Sequence, residues 1–356
     1  MLLAILITNL NYLSILPMKY HLILLFLVFT HTGHAQPFAI IADNETPPIN
    51  TQGDAADDPA IWINNKNFYE SIIFGTDKRT GIHAYTIKGD QLTYKSFGHI
   101  NNIDLREIGD YLILAGTKRD SKEILFWKFL KSDIFKKLSN NEFPDPIRSV
   151  KSEQDIYGLC MGYVDKELLI FVTEDMGPNV QIWSIQRDEL SLKHTFSNNG
   201  ESEGCVVDDF NKKIFISEED KAGVLRSFDL SSAAFLQSFV IDSRDGNIWG
   251  DPEGVSIYKT SKDEGYIILS SQGDSKFNLY NRKYPHNYLG SFRVVGSTTI
   301  DGVSETDGLD AASISIPGLY PKGFLVVQDG YNTDKTRVLN QNFKIISFDK
   351  ILTLIN

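Results

Sequence analysis

The chain has 356 residues, 42% of them hydrophobic and 23% charged, with 12 prolines: enough apolar residue for a sizeable core, and none of the bias of a disordered or fibrous chain. A formal net charge of −11 argues against nucleic acid, whose phosphates are held mainly by Lys and Arg. A polyanionic ligand would need a local basic patch or a bridging cation.

Residues 1–35 read as a secretory leader. Met18-Lys19-Tyr20-His21 precedes the apolar run LILLFLVF (22–29) and the small-residue site Gly33-His34-Ala35, so cleavage is expected after Ala35 and Met18 is a candidate true start. The apolar run is shorter than the ~20 residues a membrane-spanning helix needs, and the leader holds no Cys to carry a lipid. Residues 36–356 are expected to form one domain, secreted or periplasmic, free of the membrane and monomeric.

Beyond the leader, six strand-length runs end in polar turns: SIIFGTDKRTG (71–81), YLILAGTKRD (111–120), LLIFVTEDMG (168–177), KIFISEEDKAG (213–223), YIILSSQGDS (266–275) and GFLVVQDGYN (323–332). Ahead of each, a polar turn opens another strand: DDPAIW (57–62), NNIDLR (101–106), IYGLCMG (156–162), SEGCVV (202–207), PEGVSIY (252–258) and TDGLDAA (306–312). Successive members lie about 45 to 55 residues apart, the size of a four-stranded propeller blade. Plentiful Tyr (15) and Phe (22) agree with strands, and no window outside the leader carries a convincing helical period. The expected fold is all-β: a six-bladed β-propeller with four-stranded antiparallel blades. PFAIIAD (37–43) and FKIISFDK (343–350) are expected to be strands that pair to close the last blade.

Consecutive antiparallel strands bring the start of one and the end of the next to the same edge of a blade. If the first strand of each blade lines the central channel, Asp57, Asp58, Glu203, Glu253 and Asp307 ring one mouth. Lys78, Arg79, Arg119, Glu218, Glu219 and Asp220 stand just behind them. So many carboxylates on one face require neutralisation, and a hard cation such as Ca²⁺, which takes six to eight oxygens, provides it. Softer metals are poorly served, because His83, His99, His194 and His286 show no close pairing. Lys78, Arg79, Lys118 and Arg119 add cations that suit a multiply phosphorylated substrate. Cys160 and Cys205, both in apolar strand-like settings, read as buried free thiols rather than a bridge. Taken singly, each Asp-Gly or Glu-Gly pair is an ordinary turn, and it is the alignment of six units that points to a site.

The motifs DAADDPAIW, NNIDLR, SEGCVVDD, SEED, DPEGVSIY, SSQGDS, SETDGLD and VVQDGYN, in this order, resemble those of the β-propeller phytases, calcium-dependent phosphatases of inositol hexakisphosphate. The likeness runs from about Glu45 to Leu352. It implies several Ca²⁺ ions at one propeller mouth, a water nucleophile, inositol phosphates as substrate, taken as calcium complexes, and two neighbouring phosphate subsites. By motif, Asp57, Glu203, Glu253, Asp301 and Asp307 match calcium ligands around the cleavage site, and Asp58, Asp251 and Gln272 match further metal positions. Lys78, Arg119 and Tyr157 match phosphate contacts, Arg79 stands where a second Lys is frequent, and Glu219 matches a site carboxylate.

Two positions depart from the pattern. TEDMG places Asp175 and Met176 where the family has Lys-Glu, and Tyr331 in QDGYN replaces an acid, which puts one structural calcium site in question. A calcium-dependent propeller lactonase would share the carboxylates but has no need of the Lys/Arg group. A non-catalytic module binding a phosphorylated ligand would need those cations but release no phosphate.

Overall fold

The structure, a computed structural model, describes residues 37–231 and 237–355; the expected leader lies outside them. Among the described residues, six sheets of four or five strands follow one another along the chain, beside a two-stranded ribbon of Thr333–Asp334 and Arg337–Val338. The first blade runs outward from Ala56–Trp62 through Ile72–Asp77 and Gly81–Thr86 to Gln91–Ser96. The inner strands of the next five are Ile100–Ile108, Ile156–Val164, Ser202–Asp208, Pro252–Lys259 and Leu309–Ala312. Each inner strand packs on those of its two neighbours, and the sixth returns to the first, closing the ring. This is the expected six-bladed antiparallel propeller.

Packing between blades explains the unbroken apolar runs of the second strands. Alternate side chains of a strand leave opposite faces, and in a propeller each face meets a neighbouring blade. Phe74 accordingly joins Leu114 and Trp127 in the seam with blade 2, whereas Ile73 joins Phe324 and Phe343 in the seam with blade 6. Every seam is filled by one such buried cluster. Between blades 4 and 5, a fully buried ion pair joins Arg282 to Asp208, with Nε to Oδ2 at 2.6 Å and Nη2 to Oδ1 at 2.5 Å.

The ends close the ring differently from expectation. Asn44–Glu45 supplies the outer strand of blade 6, pairing with Asn342–Ser347, while Phe38–Ile40 adds in parallel to the outer edge of blade 5 along Tyr288–Val294. The 37–43 stretch therefore covers one edge and only its continuation closes the last blade. The final strand also stops at Ser347, where Phe348–Leu352 turns into a short helix with Asp349 in its first turn, a placement the helix N-terminus favours.

Cys160 and Cys205 form a disulfide, correcting the free-thiol reading. They lie on the inner strands of blades 3 and 4, with Cα atoms 5.6 Å apart, within the usual range for a bridge. Their separation of 45 residues is one blade repeat, so the ring sets them face to face. Replacing both by alanine is expected to cost on the order of 2–4 kcal/mol, because the bridge restricts a long loop of the unfolded chain. Denaturant midpoints measure this, and two titratable thiols in the unfolded, unreduced protein would show that no bridge forms.

Candidate active site

One irregularity recurs at the mouth. In blades 1 to 5 the pairing of inner and second strands slips at the same place, between Ala56 and Pro59, Ile100 and Ile103, Ile156 and Leu159, Ser202 and Cys205, and Pro252 and Val255. Each slip inserts one extra residue on the inner strand, a bulge of the kind that re-aims side chains. The first residue inside it is Asp57, Asn101, Tyr157, Glu203 or Glu253, and Asp307 corresponds in blade 6. A hydroxyl on the second strand pegs the bulge: Thr76, Thr117 and Thr173 accept from the amides of Asp58, Asn102 and Gly158. Ser217 and Ser270 instead donate to the carbonyls of Glu253 and Thr306 in the next blade.

A second ring stands behind the first. Lys78, Arg119, Asp175, Glu219 and Gln272 follow the second strands, and their amides donate to the carbonyls of Ala55, His99, Asp155, Glu201 and Asp251, each two residues before the bulge residue. The backbone thus fixes both rings in register.

Charge is divided across the mouth. On one side Lys78 Nζ reaches Asp54 at 2.8 Å, Asp57 at 3.1 Å and Asp307 at 2.8 Å. Burial works against its ammonium, but Asp57, Asp307 and Glu203 more than offset that and raise its pKa. Arg119 stacks 4.5 Å over the ring of Tyr157 and donates to Asn101 Oδ1 at 3.1 Å and Asp175 Oδ2 at 2.7 Å. On the other side Glu203, Glu219 and Glu253 bring carboxylate oxygens within 4.8 Å of one another. At that separation like charges repel by roughly 3–4 kcal/mol per pair for an effective dielectric near 20.

Burial and neighbouring carboxylates push the acids up. Burial first, then Glu203 and Glu201, raise Glu219 to about 9; burial, then Asp57, raise Asp307 to about 7. Glu203 is raised by burial and Asp307, and Glu253 well raised by burial, Glu203 and Glu219. Asp57 Oδ1, Glu219 Oε1 and Glu253 Oε2 are buried with no hydrogen-bond partner among the described residues. Unsatisfied, converging oxygens with raised pKa values fit a hard cation, which would supply the missing ligand and hold the carboxylates ionised.

A family model for phytases matches residues 13–356. The chain belongs to the phytase family. A 3-phytase of Bacillus subtilis (strain 168) is 31% identical over 329 residues, covering 88% of this phytase and 85% of the relative. Two solved structures share its fold at low identity. One is a luciferin-regenerating enzyme with TM-score 0.54, 12% identity and coverage of 84% of this chain and 95% of its own. The other is a gluconolactonase of Xanthomonas campestris with TM-score 0.53, 11% identity and coverage of 86% and 96%.

Of the positions anticipated for this phytase, Lys78, Tyr157, Glu203, Glu253, Gln272 and Asp307 line one pocket at the mouth. Asp57, Glu219 and Arg119 touch or face members of that set. Others lie elsewhere. Asp58 points down the channel, where Oδ2 accepts from Ile103 N of the next blade at 3.0 Å. Arg79 is exposed and reaches back to Gln52 O at 3.4 Å. Asp251 pairs with Arg244. Asp301 lines a different pocket, beside Glu45 and Asn332, with Oδ1 at 2.5 Å from Lys344 Nζ; these oxygens converge on an ammonium and do not fit a calcium ion as well. The structure adds Asn101, which donates to Glu203 Oε1, and Asp54, which pairs with Lys78. Asn101 was discoverable by position, since it opens NNIDLR where Asp57 sits in DDPAIW.

Proposed function

We propose that this phytase is exported and hydrolyses phosphomonoesters of inositol hexakisphosphate with calcium at the propeller mouth, using water and no covalent enzyme intermediate. The observation that carries this reading is the trio Glu203, Glu219 and Glu253 facing Lys78 and Arg119 across one opening. Asp57, Asp307 and the trio would hold the metal, with Gln272 orienting Asp307, to which its amide donates. Calcium bound there would polarise phosphoryl oxygens and acidify a water. Lys78 and Arg119 would bind the outer phosphoryl oxygens, which suit charge-assisted donors. Tyr157, whose ring supports the Arg119 guanidinium, would fix that donor's plane and present its hydroxyl to Glu203. Export is supported by the leader pattern and by the Cys160–Cys205 bridge, since disulfides persist in oxidising compartments.

Phosphate release from inositol hexakisphosphate by the purified chain, with calcium and after chelation, tests the reading. Turnover is expected only with calcium; activity that survives chelation would remove the metal from the mechanism, and binding without release would make the protein a receptor.

Asp175 gives a graded test of the cationic side. It occupies a position where the family has Lys and neutralises Arg119 directly, in competition with a substrate phosphate. Asp175→Asn is expected to lower KM several-fold with kcat little changed, since a half-exposed pair is worth up to about 1 kcal/mol. An unchanged KM would show that Arg119 does not meet substrate.

A further inference from the structure

Blade 6 holds a lysine in surroundings that suit a metal ion. Lys344 is fully buried on the strand Asn342–Ser347. Its Nζ lies 2.6 Å from Glu45 Oε2, 2.5 Å from Asp301 Oδ1, 3.1 Å from Asn332 Oδ1 and 3.3 Å from Asp329 Oδ2. These oxygens come from four separate pieces of chain: the N-terminal strand that closes the ring, the 301 loop, the end of a blade 6 strand and the turn after it. Convergence of carboxylate and amide oxygens from distant segments on one point is how proteins surround hard cations.

Neighbouring groups hold the donors in place. Asp301 Oδ2 accepts from Thr333 N at 2.5 Å and Thr333 Oγ1 at 2.9 Å, and Asp329 Oδ1 accepts from the amides of Ser304 at 3.1 Å and Tyr331 at 3.2 Å. The cluster opens on a cavity of about 790 Å³ that Glu45, Asp301 and Asn332 help to line. Tyr331 takes part only through its amide, and its side chain is largely exposed.

We propose that the ammonium of Lys344 is a built-in replacement for a calcium ion in blade 6. It ties the closing strand at Glu45 to the 301 loop and the last blade, so ring closure needs no metal. An ammonium is a compact point charge that three or four oxygens satisfy. A divalent ion at the same point would have to displace it against direct charge repulsion. The inference stands on this cluster and does not depend on the role assigned to the mouth.

Calcium stoichiometry by equilibrium dialysis, combined with thermal melts, tests it. Asp301→Asn in the otherwise wild-type chain should leave the number of bound calcium ions unchanged; loss of one ion would overturn the proposal. Lys344→Ala removes the ammonium and leaves the oxygens. It should bind one calcium ion more than wild type, and calcium should raise its Tm by more than it raises that of wild type. If Lys344→Ala binds no additional ion, or does not fold even with calcium present, the cluster is not a cation position and the proposal fails. A wild-type chain that binds no calcium would count against the mouth reading alone, because the blade 6 result is the difference between variant and wild type.

Discussion

Glu203→Gln is expected to lower kcat by on the order of a hundredfold to a thousandfold, the range found when a single charge-stabilising group is removed from a site, while the propeller stays folded. Glu203 is the acid with the most connections at the mouth. It belongs to the trio with Glu219 and Glu253, accepts from Asn101 and meets the hydroxyl of Tyr157. Glutamine keeps the size and one oxygen for Asn101, so local packing changes little. What it removes is one negative charge and one hard donor.

The same substitution should not harm stability when calcium is chelated. Without a cation the acids of the mouth are buried and crowded: burial first, and then neighbouring carboxylates, Asp307 for Glu203 and Glu203 for both Glu219 and Glu253, push their pKa values up. Removing one charge relieves that crowding. Chelated Glu203→Gln should therefore melt at or above the temperature of chelated wild type, whereas calcium should stabilise the variant less. Steady-state phosphate release and melts with and without calcium measure both effects. A variant with wild-type kcat would show that this carboxylate takes no part in turnover.

The fold was legible because its signal repeats. Each blade adds a run such as YLILAGTKRD, apolar on both faces since both seams are buried, and six registers of the same pattern leave little freedom in architecture. The candidate site was legible where it used that repeat: Asp57, Glu203, Glu253 and Asp307 occupy the same position in blades 1, 4, 5 and 6. What the repeat could not show was side-chain direction. Asp58 and Arg79 are adjacent to true mouth residues, yet one caps a backbone amide in the channel and the other lies along the surface. Asn101 was overlooked because an amide among acids carries no charge signal, although its register matches theirs. The Cys160–Cys205 bridge depends on two strands one blade apart meeting, which follows from ring closure and not from local setting. Asp301 shows the opposite limit, since its motif is that of a metal ligand and its partner, Lys344, lies 43 positions further along the chain.

Gly158→Ala is expected to cost about 3 kcal/mol or more, at the upper end of what overpacking a tight contact costs, and to reduce kcat at least tenfold. The Glu-Gly and Asp-Gly pairs of the inner strands, and the Tyr157-Gly158 pair of blade 3, resemble turns in sequence, but in the structure they are points of contact between blades. A Cβ on Gly158 would lie 1.8 Å from the carbonyl oxygen of Glu203 and 2.7 Å from its carbon. A Cβ on Gly204 would lie 2.1 Å from the carbonyl oxygen of Glu253, and one on Gly254 or Gly308 would lie 2.6 Å from that of Asp307 or Asp57. Every one of these glycines lets the backbone that carries the next site carboxylate come close. A methyl group there must push that backbone away, because no flexible side chain is available to yield. For Gly158 the displaced residue is Glu203 itself, so destabilisation and lost turnover should appear together. Gly109→Ala provides the control: Gly109 has φ of +55° and open space around it, so alanine there meets only the left-handed backbone penalty of roughly 1 kcal/mol and should leave kcat unchanged. If Gly158→Ala behaved like Gly109→Ala, in melting and in turnover alike, close approach of blades 3 and 4 would not be what positions Glu203.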